Sequence, residues 1–190
     1  MSLDRGVVTA AYIAPERLRR VFVDTTVVVE AMTSDQTASS DAAAMLEALE
    51  RAGAEIVYSR LLDVESLQAA AYLAGAQATG IRRSGLRDGR VRRRSRRIAA
   101  ELRTAWQEYL DRNRWRRIEL GDVADDIHDV MFATGLSSYD AVHAASAIAA
   151  DCDAIATLDS DFGRLPATQV PTIITAPRRL ARTRRLRASA

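Results

Sequence analysis

The sequence predicts an α/β fold: a Rossmann-like, three-layer α/β/α arrangement around a mostly parallel central sheet. Two observations predict it. Short β-branched runs alternate with longer Ala/Leu-rich stretches, and those stretches are bounded by residues that start or stop helices. A length of 190 residues with 48% hydrophobic content supports one compact domain with its own core.

Strands are predicted at 21–24 (VFVD), 55–59 (EIVYS), 116–120 (RRIEL), 153–158 (DAIATL) and 171–175 (PTIIT). A first helix runs from Ser39 to Ala52, with Gly53 beyond its end. A second runs from Leu61 to Ala74 and stops at Gly75; a third, from Asp122 to Thr134, stops at Gly135. Ser137 or Ser138 then caps a helix through Ala150. Gly80, Gly85 and Gly89 mark 76–91 as a loop, and an Arg-rich helix follows at about 92–112. The predicted organisation is an N-terminal extension (1–20), a folded domain (21–176) with an Arg-rich insertion at about 82–117, and a basic tail (177–190).

The net charge of +2 conceals strong segregation. Residues 82–117 hold 14 Arg against four acids, while 118–163 hold ten acids and no Arg. All 27 basic residues are Arg, so their clustering carries the information rather than their type. Such a chain suits a polyanion on one surface and bound cations on another. Its apolar runs, such as 21–29 and 69–76, fall short of the roughly 20 residues of a membrane span, so no membrane partner is expected. The N-terminus lacks the apolar core of a secretory signal, and the single Cys152 makes no internal disulfide. A cytoplasmic location is the expectation.

In an open parallel sheet the ligand crevice lies beyond the carboxyl ends of the strands. Asp24 ends the first predicted strand, Asp159 follows the strand at 153–158, Glu65 lies early in the helix after 55–59, and Asp140 sits in the first turn of the helix opened by Ser137 or Ser138. Two carboxylates 4 Å apart repel by about 4 kcal/mol at an effective dielectric near 20, so a compensating charge is needed. A divalent cation with oxygen ligands supplies it, and Mg²⁺ typically takes one or two carboxylates and keeps exchangeable waters. Hydrolysis of a phosphodiester is the chemistry such a site suits.

These residues carry a family resemblance. VDTTVVVEAM (23–32) and SSYDAVHAASAIAADCDAIATLDSDF (137–162) resemble the opening and closing motifs of PIN-domain nucleases, closest to the VapC-type toxins of bacterial toxin–antitoxin pairs. The resemblance covers about residues 20–176. It implies a Mg²⁺-dependent ribonuclease, with Mn²⁺ substituting, whose acidic quartet is Asp24, Glu65, Asp140 and Asp159. Asp24, Asp140, Asp159 and Asp161 would hold metal, with Thr26 and Thr157 as supporting hydroxyls. It further implies an RNA substrate, a small antitoxin partner and a homodimer. The leader, the insertion and the tail enlarge the chain beyond that pattern, so a housekeeping RNA-processing PIN nuclease and a non-catalytic PIN module that binds nucleic acid or protein stay open. A haloacid-dehalogenase-type phosphohydrolase would need a second Asp where Thr26 stands.

Taken singly, Asp24 could be a helix N-cap, Asp140 the acid of a capping box opened by Ser137, and Asp159 part of a turn; Asp63 competes with Glu65. Order and context together favour the site. His143, one turn after Asp140, reads as core packing on an apolar face. Neither it nor His128 has the partners of a zinc site. Cys152 reads as a small buried residue. On the Arg-rich helix, Arg93, Arg96 and Arg97 line one side as candidate RNA contacts, with Leu102, Trp106 and Leu110 on the other; a solvated face or a protein contact is the alternative.

Overall fold

The computed structural model describes residues 6–8, 18–33, 39–79, 86–170 and 172–175. The strands are β1 (Gly6–Val8), β2 (Arg20–Val23), β3 (Glu55–Ser59), β4 (Trp115–Ile118), β5 (Ala154–Ala156) and β6 (Thr172–Ile174). They form one sheet in the order β1-β6-β5-β2-β3-β4, and every pairing is parallel. The helices are α1 (Thr25–Met32), α2 (Ser39–Ala52), α3 (Leu61–Thr79), α4 (Gly89–Asp111), α5 (Ile127–Thr134) and α6 (Ser138–Ala149).

The central strands are apolar on both sides because helices cover both sides. Val21, Val23, Ile56, Tyr58, Ala154 and Ala156 pack with α1, α2 and the second half of α4. Phe22, Val57 and Ile155 point the opposite way, into α5 and α6. The result is a three-layer α/β/α fold. Among the described residues no helix is long and apolar enough to cross a membrane.

Several boundaries differ from the sequence reading. The strand expected at 116–120 stops at Ile118, because Leu120–Asp122 turns into a 3-10 helix in which Asp122 Oδ2 accepts the Glu119 N–H at 3.2 Å. That turn also shortens the helix expected at 122–134, which starts at Ile127. It ends at Gly135, whose φ of +67° is a left-handed cap. Helix α3 does not stop at Gly75 but continues to Thr79. Ala70, Ala71, Ala74 and Gly75 are buried, and Ala70 packs with Ala99 and Leu102 of α4, so tertiary packing outweighs the glycine's cost. The loop expected at 76–91 shrinks accordingly. Residues 76–79 are helical, and α4 starts at Gly89 with Asp88 accepting the Arg90 N–H at 2.7 Å; 80–85 lie outside the described residues. Strand β1 falls in the leader, where no strand is predicted, and pairs with β6. The Arg-rich tail lies outside the described residues.

The α3–α4 pair determines where the Arg-rich block stands. Trp106 meets Tyr58, one residue before the end of β3, edge-on at 5.5 Å between ring centroids. Farther along, Arg112 bonds Glu50, and Arg114 donates to the Gly53 carbonyl just before β3 begins. Helix α4 therefore runs antiparallel to the strands. Its 17 residues before Trp106, about 25 Å of helix, lie on the carboxyl-edge side of Tyr58, where Ala99 and Leu102 pack on Ala70 of α3. Arg92, Arg93, Arg94, Arg96 and Arg97 are exposed there, while Leu102, Trp106 and Leu110 are buried.

Candidate active site

The carboxyl edge of the sheet gathers the predicted acids. Asp24 leaves β2 in extended conformation and occupies the N-cap position of α1, but its side chain makes no capping bond. It turns inward instead. Its Oδ2 accepts two hydroxyls, Thr26 at 2.5 Å and Thr157 at 2.7 Å. Both threonines also fix the loop after β5: Thr26 Oγ1 accepts the Leu158 N–H at 3.1 Å, and Thr157 Oγ1 accepts the Asp159 N–H at 2.9 Å. Thr157 thus serves the carboxylate of Asp24 and only the backbone of Asp159.

Glu65 reaches in from the second turn of α3. Its Oε2 accepts the Thr25 hydroxyl and, at 2.6 Å, His143 Nε2. The other ring nitrogen of His143, Nδ1, shares a hydrogen bond with Ser59 Oγ at 3.0 Å, and Nε2 lies 3.8 Å from Asp24 Oδ1. His143 is only 1% exposed, yet it is part of the site. Reading it as packing alone misses it, as it misses Ser59 and Thr25. The only sequence signal was a His one helical turn after Asp140, on the same side of α6.

Asp140, Asp159 and Asp161 form the outer part. Asp140 accepts the Ser137 hydroxyl at 2.5 Å, and Ser137 Oγ caps α6 by accepting the Asp140 N–H at 3.5 Å. Asp159 Oδ1 accepts the Asp161 N–H at 2.8 Å, and Asp161 pairs with Arg164 at 3.3 Å. His128 is exposed, and burial pushes the Cys152 thiol up to about 12, so Cys152 is no nucleophile here.

Electrostatics divide the site the same way. Burial holds the Asp24 carboxyl above its ordinary value, against the opposing effects of His143, Thr26 and Thr157. Glu65 is also pushed up by burial, but the hydrogen bond and charge of His143, with the Thr25 hydroxyl, outweigh this and hold it below its ordinary value. Burial would lower His143; the Glu65 hydrogen bond and the charges of Asp24, Glu65 and Asp140 outweigh it and raise the imidazole. Asp140 is held up mainly by burial, with Asp159 and Asp161 adding to the shift against the Ser137 hydroxyl. The edge is short of positive charge.

Whether a hard cation fits is decided by the free oxygens. Asp24 Oδ2 and Glu65 Oε2 each take two donors, while Asp24 Oδ1 and Glu65 Oε1 take no hydrogen bond among the described residues. The Asp24 side chain is 5% exposed and that of Glu65 18% exposed, so the pair lies at the inner end of the edge with Glu65 nearer the solvent. Among the described residues no three Asp, Glu, His or Cys side chains converge as a ready-made cage. An open set of oxygen donors suits an ion that keeps most of its waters.

No curated protein matches the chain. The family model of the PIN domain matches residues 21–167, a stretch that takes in the sheet from β2 to β5 and all five acids of this edge. On that match, which spans well over half of the sequence, the chain belongs to the PIN domain family.

Proposed function

We propose that the protein is an endoribonuclease that uses a divalent cation, Mg²⁺ with Mn²⁺ as substitute, to hydrolyse RNA phosphodiester bonds. The observation that carries the reading is the pair of inner carboxylates, each tied through one oxygen and open through the other. Asp24, Asp140, Asp159 and Asp161 would hold the ion, with Glu65 completing the catalytic quartet. When bound, the ion supplies an activated water and charge stabilisation at the scissile phosphate.

The chain's own residues set the geometry. Thr26 and Thr157 fix the plane of the Asp24 carboxylate, and Thr25 and His143 fix that of Glu65. Asp140 and Asp159 close the outer side. An acidic edge repels RNA, and the first half of α4, with Arg93, Arg96 and Arg97 exposed, offsets that repulsion through phosphate contacts. The two end motifs, closest to VapC-type toxins, extend the proposal: the protein acts as the toxin of a pair, as a homodimer neutralised by a small antitoxin.

The test is cleavage of total cellular RNA by purified protein with Mn²⁺, with EDTA, and with Asp24→Asn and Asp140→Asn, mapping new ends by sequencing. Discrete ends that need metal and both aspartates are the expected result. A folded, partner-free wild type that leaves RNA intact overturns the enzyme and points to a binding module. A small adjacent reading frame whose product blocks cleavage checks the toxin assignment.

A further inference from the structure

We propose that His143 is a positioning residue: with Ser59 behind it, the imidazole holds Glu65 beside Asp24 so that one oxygen of each carboxylate stays free for a divalent cation. This rests on the nuclease reading and adds what assembles the inner site.

The geometry allows the ring little else. A carboxylate only accepts, so the 2.6 Å contact makes Nε2 the donor to Glu65 Oε2. Nδ1 faces the Ser59 hydroxyl at 3.0 Å, accepting from it when the ring is neutral and donating to it when the ring is charged, so this nitrogen is engaged in either state. Neither nitrogen is left to take a proton from water, and the ring is sealed from solvent. It packs against Phe22 at 5.5 Å between centroids, in a pocket closed by β2, β3 and α6. His143 therefore does not act as a general base.

What it does is span two carboxylates that would otherwise repel. Its Nε2–H is bonded to Glu65 and stands 3.8 Å from Asp24 Oδ1, so the ring stays between the acids from their Oε2 and Oδ1 sides. Glu65 projects from α3 on a flexible side chain, and its only other tether among the described residues is the Thr25 hydroxyl. The imidazole is anchored from two elements at once, α6 through its backbone and β3 through Ser59. Partners that orient ligands in this way are typically worth about 10–100-fold in metal affinity or activity.

The experiment compares wild type with His143→Leu, His143→Gln and Ser59→Ala. Three readouts are taken: Mn²⁺ affinity by calorimetry with the metal alone, kcat and KM for RNA cleavage, and thermal unfolding. Leucine fills the pocket without a donor, whereas glutamine presents an amide N–H near the position of Nε2. For His143→Leu, Mn²⁺ binding weakens and kcat falls by about 10–100-fold while KM for RNA holds. His143→Gln recovers most of both, and Ser59→Ala lies between. A His143→Leu protein that binds Mn²⁺ and turns over like wild type overturns the inference, as does a His143→Gln protein that is folded yet no better than leucine. Should His143→Leu not fold, unchanged Mn²⁺ affinity in Ser59→Ala overturns it. A wild type that neither binds Mn²⁺ nor cleaves RNA defeats the nuclease reading itself, a result separate from these.

Discussion

Asp24 and Glu65 each spend one oxygen on two donors, three of the four arriving from other elements, whereas Asp140, Asp159 and Asp161 lean on residues next to them in the chain. Glu65 is held from Thr25, 40 residues before it, and from His143, 78 residues after it; Asp24 is held from Thr157, 133 residues on. Among the outer acids, Asp140 bonds Ser137 three residues back, Asp159 bonds the N–H of Asp161, and Asp161 pairs with Arg164. The inner pair is fixed by the fold and the outer three by their own turns. Loosening one inner donor therefore unsettles the site, whereas an outer acid can shift with its loop.

The largest expected effect tests the inner half. Asp24→Asn keeps the size of the side chain and an oxygen for the Thr26 and Thr157 hydroxyls but loses the charge. Metal-assisted stabilisation is worth several kcal/mol, and about 1.4 kcal/mol corresponds to a factor of ten, so cleavage falls by about 10³-fold. Stability moves the other way. The folded-state pKa of Asp24 is raised, so its ionisation disfavours the fold: the contribution is present below the unfolded value of about 3.9 and is lost as pH rises through the folded one. At neutral pH without metal, Asp24→Asn unfolds at a higher temperature than wild type, and the gap closes in acid. A lower unfolding temperature at pH 7 would show that the inner carboxylate is already compensated and would break the comparison.

A smaller effect joins the two halves. The Thr157 hydroxyl donates to Asp24 Oδ2 and accepts the Asp159 N–H, so it links inner and outer acids. Thr157→Val keeps the shape and removes both bonds. It weakens Mn²⁺ binding by about 10–100-fold, and Thr157→Ser restores most of it. Calorimetry with the metal alone reads both; a valine variant that binds as tightly as wild type would mean that the halves are independent.

The same contrast explains what could be read from the sequence. The parallel sheet, the span of α2, the Gly135 stop and the Ser137 cap follow from local composition and from capping chemistry that acts within a few residues. Asp140 and Asp159 announce themselves by short-range spacing for the same reason. His143 does not: its alanine-rich helix face looks like core, and the partners that give it a role, Ser59 and Glu65, are 84 and 78 residues away. The continuation of α3 through Gly75 is illegible for a related reason, since it depends on how closely α4 packs there. Strand β1 is three residues long and is held by pairing with β6, a contact no local pattern encodes.

The smallest expected change in stability comes from the basic arm formed by the first half of α4. Arg93, Arg96 and Arg97 are exposed, and the only ion pair they make among the described residues joins Arg97 to Glu101 at 2.9 Å, four residues along the same helix. Replacing all three by Ala leaves hydroxyls, carboxylates and core untouched, and exposed substitutions of this kind typically change stability by no more than about 0.5 kcal/mol each. RNA affinity responds instead. Each lost phosphate contact with a single strand lowers the slope of log K against log salt by about 0.7, so three contacts lower it by about 2. Binding titrations of metal-free protein across a range of salt concentrations measure that slope directly. A slope unchanged in the triple variant would place the RNA path elsewhere, with α4 serving a protein contact. A slope reduced as expected, together with an unchanged turnover rate at saturating RNA, would show that the arm delivers the polyanion while the carboxylate edge alone sets the chemistry.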